Sequence, residues 1–221
     1  MSITEFFQAI QNGNLQVVEQ MLDRNAALMD AYNEQGLSAV LFATYHHEPE
    51  IAALLVARGA TLNVYEAAAT GNLPRLQEWV EEHPEVVNSF AMDGFHPLGL
   101  AAFFGHREAV AYLIEKGAET NLHSNNTQHV TPLISASARG SLEIAQLLIA
   151  YGADVNAHQI HNFTALHNAA QNGQIEMAEL LLAHGAAINA RSQDGRTPLV
   201  FAREKNQAAM IEFLEQRGAI S

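Results

Sequence analysis

The sequence repeats itself at an interval of about 33 residues. A Gly-Ala pair follows an apolar run at Gly59-Ala60, Gly117-Ala118, Gly152-Ala153, Gly185-Ala186 and Gly218-Ala219. A second mark, two small residues followed by two residues and a glycine, begins at Ala67, Ala101, Ala136 and Ala169. A third is Thr131-Pro132-Leu133, Thr164-Ala165-Leu166 and Thr197-Pro198-Leu199. Three marks in one register indicate an array of similar units, each of which buries its apolar face against its neighbours.

Each unit is predicted to contain two short helices. A Thr or Ser with Pro at the next position is typical of a helix N-terminus. The glycine after the small pair ends the first helix, because glycine adopts left-handed backbone angles without a steric penalty. The second helix is amphipathic, as in residues 142–149. A second glycine ends it, and the loop that follows often finishes with asparagine: Asn63, Asn121, Asn156 and Asn189.

Together these marks resemble the ankyrin repeat. The resemblance implies an all-α ankyrin-repeat solenoid of helix-turn-helix units with short β-hairpin fingers. It covers nearly the whole chain, which we expect to form a single domain over residues 1–221. Seven units are expected, at about residues 1–30, 31–63, 64–88, 89–121, 122–156, 157–189 and 190–221.

Some units depart from the pattern. In the third, Asn63 is followed at once by helix-forming residues, so we expect no finger there. The resulting gap in the finger row is expected to widen the groove beside the fourth unit. The first unit also lacks a finger, and the fifth has two extra finger residues. In the last unit Asn206 replaces the mid-unit glycine, and charged residues 203–205 supply the polar face of a terminal unit.

Composition narrows the range of partners and chemistry. The chain is 48% hydrophobic and 16% charged, which is enough apolar surface for a buried core. Its formal net charge of −13 argues against nucleic-acid or anionic-membrane partners. The absence of cysteine excludes disulfides and thiolate chemistry. The N-terminal residues do not resemble a signal peptide, and no apolar run approaches the ~20 residues that span a bilayer, so we expect a cytoplasmic protein.

No catalytic motif is recognisable. The chain lacks a phosphate-binding loop, a dinucleotide fingerprint and a nucleophile elbow. His47-Glu48 precedes Pro49 and has no second histidine at metalloprotease spacing. We therefore expect no enzyme activity and no cofactor. His96 and His167 lie at the beginnings of helices and are expected to bind backbone groups.

The finger histidines leave one alternative open. The chain has 11 histidines, and His123 and His158 occupy the same place in consecutive units. His129 and His161 lie in the same two fingers. Imidazoles from neighbouring fingers could share a zinc or nickel ion and give a metal-dependent sensor or enzyme. No carboxylate or thiolate completes the ligand set, so exposed histidines are the simpler interpretation and no metal site is predicted.

The resemblance also implies where a partner binds. In such repeats, contacts come mainly from the fingers and from the helix positions just after the small pair. Large apolar residues occupy these places above all in the fourth unit. The candidate partner-binding residues are Tyr45, His46, Phe90, Met92, Phe95, Phe103, Phe104, His123, His158, Ile160, His161 and Phe163. Phe104 and Phe163 are also candidates for packing between units.

The expected function is protein–protein recognition through the concave face of the solenoid. The partner is a protein whose identity the sequence does not specify, and neither nucleic acid nor membrane is expected. We expect a monomer or a weak homodimer. A homodimeric regulatory subunit that associates through the phenylalanines is the remaining alternative. Five basic residues of the last unit could steer an acidic partner, although a polar terminal surface is the simpler interpretation.

Overall fold

The computed structural model describes residues 2–221, in which fourteen α-helices follow one another as seven pairs. The first four pairs are α1 (Ile3–Gln11) and α2 (Leu15–Arg24), α3 (Ala39–Tyr45) and α4 (Pro49–Ala57), α5 (Val64–Thr70) and α6 (Leu73–Glu82), and α7 (Pro97–Phe104) and α8 (Arg107–Glu115). The last three are α9 (Pro132–Arg139) and α10 (Leu142–Ala150), α11 (Ala165–Gln171) and α12 (Ile175–Ala183), and α13 (Pro198–Glu204) and α14 (Ala208–Glu215). Odd-numbered helices pack side by side in one layer and even-numbered helices in a second, which confirms the all-α solenoid.

Local sequence explains most helix ends. The Thr131 hydroxyl accepts a hydrogen bond from the Ile134 N–H at 3.4 Å and so caps α9. The same helix ends at Gly140, which has left-handed backbone angles. Thr197 differs from this expectation, because its hydroxyl donates to the Ile220 carbonyl at 2.7 Å instead of capping α13. That bond joins the C-terminal residues to the start of α13, the last helix of the odd-numbered layer.

The fingers are loops that carry little regular strand. The sixth pair has an antiparallel ladder of β1 (His158–Gln159) with β2 (Phe163–Thr164). Its turn contains a short 3₁₀ helix at Ile160–Asn162. In the second pair, Tyr32 and Ser38 form a single bridge. The other 3₁₀ helices, Ala26–Asp30 and Pro84–Asn88, follow second-layer helices.

From the third unit onward, a repeated asparagine joins each unit to the next. Asn121 donates from Nδ2 to the Gly152 carbonyl at 2.9 Å and accepts from the Asp154 N–H at 2.7 Å. These bonds satisfy backbone groups just beyond the C-terminal end of the even-numbered helix in the next unit. The same pair of bonds recurs at Asn88, Asn156 and Asn189. We call this series the asparagine ladder.

The junction between the second and third pairs is different, and we call it the second–third joint. Asn63, the equivalent asparagine, accepts from the N–H groups of Tyr65 and Glu66 at 2.8 and 3.2 Å and caps α5. In the described chain the ladder therefore begins only beyond this joint, at Asn88. The buried apolar side chains also separate into two clusters, one within residues 6–62 and the other formed by Leu41 and residues 64–214.

The third finger is absent, as predicted, because α5 begins directly after Asn63. The expected widening of the groove is wrong. Tyr45 donates from its hydroxyl to Asp93 Oδ2 at 2.7 Å, which links α3 to the fourth finger. A Cβ on Gly36 would lie 3.1 Å from Met92 Sδ, so the second and fourth fingers are in contact. With no third finger between them, these two fingers are neighbours and close the gap.

Candidate functional site

A cleft of about 400 Å³ opens on the face formed by the fingers and the odd-numbered helices, which we call the finger face. Tyr45, Phe95 and Phe103 bring aromatic side chains to it, and Val130 and Ile134 extend the apolar lining. We call it the central cleft. Its remaining lining residues are His47, Leu100, Gln128, Ser135, Ala138, Gln159 and Asn168. The cleft thus collects residues from four helices and three fingers.

The aromatic side of the cleft is a packed cluster. Phe103 and Phe104 lie edge to face with ring centroids 5.0 Å apart. The ring of Tyr45 lies 5.6 Å from that of Phe104, so the cluster spans the place of the absent finger. The Arg139 guanidinium carbon lies 5.6 Å from the Phe103 ring centroid, at cation–π distance. These contacts fix the aromatic rings before any partner arrives.

Asp93 anchors the fourth finger beside this cluster. Its Oδ2 accepts from the Tyr45 hydroxyl, and its Oδ1 accepts from the Phe95 N–H at 3.1 Å. Its carbonyl accepts from Asn126 Nδ2 at 2.9 Å. Burial, and then the negative charge of Asp93, raise the pKa of Tyr45. The phenol therefore stays protonated at neutral pH and remains a hydrogen-bond donor.

Close packing of the fourth and fifth fingers depends on Gly94. Its φ of +81° is left-handed, and a Cβ there would lie 2.5 Å from the Asn125 carbonyl oxygen. The Asn125 N–H donates to the Gly94 carbonyl at 2.7 Å. Any side chain at this position would push the two fingers apart. Glycine thus lets the fifth finger reach the cleft wall.

Three carboxamide side chains also contribute to the lining of the cleft. Gln128, Gln159 and Asn168 line it, and none of the three side chains forms a hydrogen bond with another described residue. Asn168 is 9% exposed, and its Nδ2 is buried without a partner. Leaving a buried donor unpaired costs about 1–3 kcal/mol. The sequence did not indicate these residues, because only the fold shows that they lack partners.

Four other predicted residues lie outside the central cleft. Met92 is 85% exposed on the fourth finger, and Phe90 is 38% exposed. His158 is exposed in β1. His46 lies on the N-terminal side with its ring 4.2 Å from that of Phe42. The predicted patch is therefore spread along the finger face, with Tyr45, Phe95 and Phe103 in the cleft.

The candidates of the sixth unit, Ile160, His161 and Phe163, line a second cleft of about 680 Å³. His161 Nδ1 donates to Gln193 Oε1 at 2.6 Å, which links the sixth finger to the seventh. Phe163 lies edge to face with Phe201 of α13 at 4.9 Å. Phe163 therefore packs between units, the second of the two roles considered for it.

The finger histidines do not assemble into a ligand set. In residues 2–221 no three His, Asp or Glu side chains lie close enough to hold a metal ion. The rings of His123 and His129 lie with centroids 6.1 Å apart. No helix in the same part of the chain is long and apolar enough to cross a membrane.

His96 and His167 bind backbone groups, as predicted. His96 Nδ1 accepts from the Gly99 N–H at 3.2 Å, so Nε2 carries the proton and donates to the Leu122 carbonyl at 3.0 Å. Burial lowers the pKa of His96 to about 4. His167 Nε2 lies 3.3 Å from the Arg196 carbonyl of the next unit. Both rings are neutral connectors between units.

Basic residues of the last unit are mostly paired with acids. Arg196 contacts Asp194 at 2.6 Å and Glu204 at 2.8 Å. Further ion pairs join Arg203 to Glu215 and Arg217 to Glu179. This pairing supports a polar terminal surface over a free basic one. Arg139, which lies over Phe103 at the edge of the central cleft and lines the cleft next to it, has no carboxylate partner among the described residues.

Comparison with known proteins agrees with this architecture. A family model described as ankyrin repeats (three copies) matches residues 64–159 and 157–220, which together are more than half of the chain. The chain belongs to the ankyrin repeat family. The helix pairs and their fingers are therefore those of ankyrin repeats, and the third unit is a repeat without a finger.

Several ankyrin-repeat proteins are similar to this chain. The ankyrin repeat and SAM domain-containing protein 6 of Rattus norvegicus is 30% identical over 152 residues, 69% of this chain and 14% of that protein. A putative ankyrin repeat protein of Rickettsia felis is 36% identical over 160 residues, 71% of this chain and 62% of that protein. One from fowlpox virus is 28% identical over 168 residues, 71% of this chain and 37% of that protein. The chain thus corresponds to part of each relative.

Proposed function

We propose that this ankyrin-repeat chain binds a partner protein through its finger face and carries out no catalysis. The central cleft is the observation that supports this proposal. It combines a preformed aromatic wall with polar groups that have no hydrogen-bond partner among residues 2–221. Solenoids of this type use such extended faces for binding.

The aromatic wall is expected to supply most of the binding energy. Burying each of Tyr45, Phe95 and Phe103 more completely against a partner contributes up to roughly 1.5–3 kcal/mol. Interface energy concentrates in such central anchors. The net charge of −13 then acts mainly on the rate of encounter and the choice of partner.

Affinity capture from the host tests this proposal. The bait is the full chain, compared with Phe103→Ser in the cleft and Tyr151→Ser as a matched control. Tyr151 is 61% exposed and lies outside the clefts of the finger face. We expect a protein that is retained by the native chain and by Tyr151→Ser but lost with Phe103→Ser. Equal retention by all three, with unchanged circular dichroism, would contradict the proposal.

The oligomeric state belongs to the same proposal. We propose that the chain is monomeric without its partner, because the large apolar side chains of the cleft are half-buried by contacts within the chain. Light scattering at several concentrations measures this directly. A dimer that dissociates on Met92→Ser would support the homodimeric alternative instead.

A further inference from the structure

We propose that the central cleft binds an extended segment of the partner that carries a large apolar side chain close to an acidic residue. This inference rests on the proposed function and adds the chemistry of the partner. Three features support it: the apolar volume of the cleft, its free carboxamides, and the unpaired guanidinium of Arg139, which lies at the edge of the cleft over Phe103 and lines the neighbouring cleft with Phe104 and His106.

The apolar wall fits one large side chain of the segment. At about 400 Å³ the cleft lies within the size range of ligand pockets, about 300–1,000 Å³. Phe95, Phe103 and Ile134 form its apolar lining. Because contacts within the chain already hold these residues, binding loses little side-chain entropy.

The carboxamides fit the backbone of an extended segment. A side-chain amide offers two donors and one acceptor, and a peptide group offers one of each. Asn168 Nδ2 has no partner among the residues that the structure describes, although buried polar groups are nearly always paired. A half-turn of the amide exchanges its oxygen and nitrogen with little change of shape, so Asn168 can donate to a carbonyl placed in the cleft. Gln128 and Gln159 supply further free amides beside it.

Arg139 fits an acidic residue of the segment. Its guanidinium lies over Phe103 and has no carboxylate partner among the described residues, whereas Arg196, Arg203 and Arg217 all have one. The chain has 24 Asp and Glu residues, yet none lines the central cleft. A carboxylate next to the apolar anchor would therefore meet the Arg139 cation, while Asp93, beside the aromatic wall, already accepts from the Tyr45 hydroxyl and the Phe95 N–H.

Selection of short random peptides from a phage-displayed library on the immobilised full chain tests the inference. The enriched peptides are expected to share a large apolar residue with Asp or Glu a few positions away. A consensus peptide is then synthesised with its acid intact and with the corresponding amide. Both are titrated by fluorescence polarisation against the native chain and its variants.

Arg139→Gln isolates the charge contact, and Arg107→Gln, an exposed arginine of α8, is the control with the same charge change. Arg139→Gln should weaken the acidic peptide about tenfold, or about 1.4 kcal/mol. It should leave the affinity for the amide peptide nearly unchanged, because that peptide has no charge to lose. The four affinities form a double-mutant cycle that isolates the contact between Arg139 and the acid. Arg107→Gln should bind both peptides as the native chain does. Asn168→Ala should weaken both peptides to a similar degree.

The possible failures are distinguishable from failure of the proposed function. Basic consensus peptides, or equal binding by Arg139→Gln, would overturn the acidic partner. The absence of any enriched peptide would overturn the extended segment. In both cases protein capture that is lost with Phe103→Ser would still support the proposed function. Peptides that bind Phe103→Ser as well as the native chain would overturn the cleft itself. Arg139 is exposed, so its variant keeps the test valid even if Asn168→Ala does not fold.

Discussion

Tyr45 and Asp93 are 48 residues apart in the chain and are joined by a hydrogen bond of 2.7 Å between the phenol oxygen and Oδ2. The bond connects α3 with the fourth finger across the place where a third finger would stand. Because the same carboxylate accepts from the Phe95 N–H, it also orients the fourth finger beside the central cleft. One contact thus links the second–third joint to the candidate binding site.

Replacing Tyr45 by Phe should destabilise the chain. The change removes a half-buried donor and leaves the Asp93 carboxylate with one partner fewer, at a cost of about 1–2 kcal/mol in the free energy of unfolding. Urea denaturation measures this cost. Tyr151→Phe, at an exposed tyrosine, is the control and should leave the denaturation midpoint unchanged. Equal midpoints for both variants would show that the bond contributes nothing in solution.

His96 should make the folded chain sensitive to acid. Its folded-state pKa is lowered by burial to about 4 from an ordinary 6.5, so the unfolded state takes up the proton first as the pH falls. Stability is therefore complete above about pH 6.5 and decreases toward pH 4, by about 3 kcal/mol in total. His106 and His167 add to this loss, since burial lowers their pKa values too. Denaturation midpoints measured from pH 7 to pH 4 should follow this decline.

A His96→Asn variant is the matched test of that assignment. Asparagine keeps a capping side chain at the start of α7 but does not titrate. The decline between pH 6.5 and pH 4 should be shallower in this variant than in the native chain. The same slope in both would assign the acid sensitivity to other groups.

Glu66 should have the opposite pH dependence. It is 1% exposed, and its Oε2 accepts from the Asn63 N–H at 2.7 Å. Burial raises the pKa of Glu66, and the charge of Asp30 raises it further, against bonds from Ser38 and Asn63 that lower it. The raised folded-state pKa means that stability falls as the pH rises from the ordinary value through the folded one. The buried charge therefore opposes folding at neutral pH.

Glu66→Gln keeps the acceptor and removes this charge. We expect the free energy of unfolding at pH 7 to increase by about 1 kcal/mol, the scale of an ordinary single change. The gain should be smaller at pH 4, where the native carboxyl is more protonated. Glu66→Ala is the control, because it removes the capping interaction and should destabilise α5 at both pH values. A loss of stability in Glu66→Gln at pH 7 would contradict the prediction.

Hydrogen exchange should reveal the second–third joint. The two buried clusters separate there, and the asparagine ladder begins only beyond it. We expect the free energy of opening to be smaller for the amides of α1–α4 than for the amides of α7–α12, so that the former exchange faster. Many proteins open in local cooperative units of this kind. Native-state exchange followed by mass spectrometry measures both regions at once. Uniform protection over residues 2–221 would instead support one fully cooperative array.

The sequence patterns predicted the helices and fingers of this molecule better than the contacts between them. Repeated Thr-Pro-Leu and glycine marks are local signals, so helix pairs and the absent third finger followed from them. The closed gap did not follow, because it depends on Tyr45 meeting a residue far away in the chain. Asn168 is another example, since a missing hydrogen bond leaves no mark in the sequence. The aromatic residues of the cleft were identifiable because they occupy positions that the repeat leaves free.

The asparagine ladder has a consequence for how this chain can change its length. Between Asn88 and Asn189 every unit makes the same two bonds to its successor. A whole unit inserted or deleted in that stretch would re-form these bonds with whichever neighbour it acquired. The second–third joint allows no such exchange, because its contacts are particular to Asn63, Tyr45 and Asp93. The asparagine ladder is thus compatible with the gain or loss of whole units beyond Asn88, while the second–third joint is particular to its place in the chain.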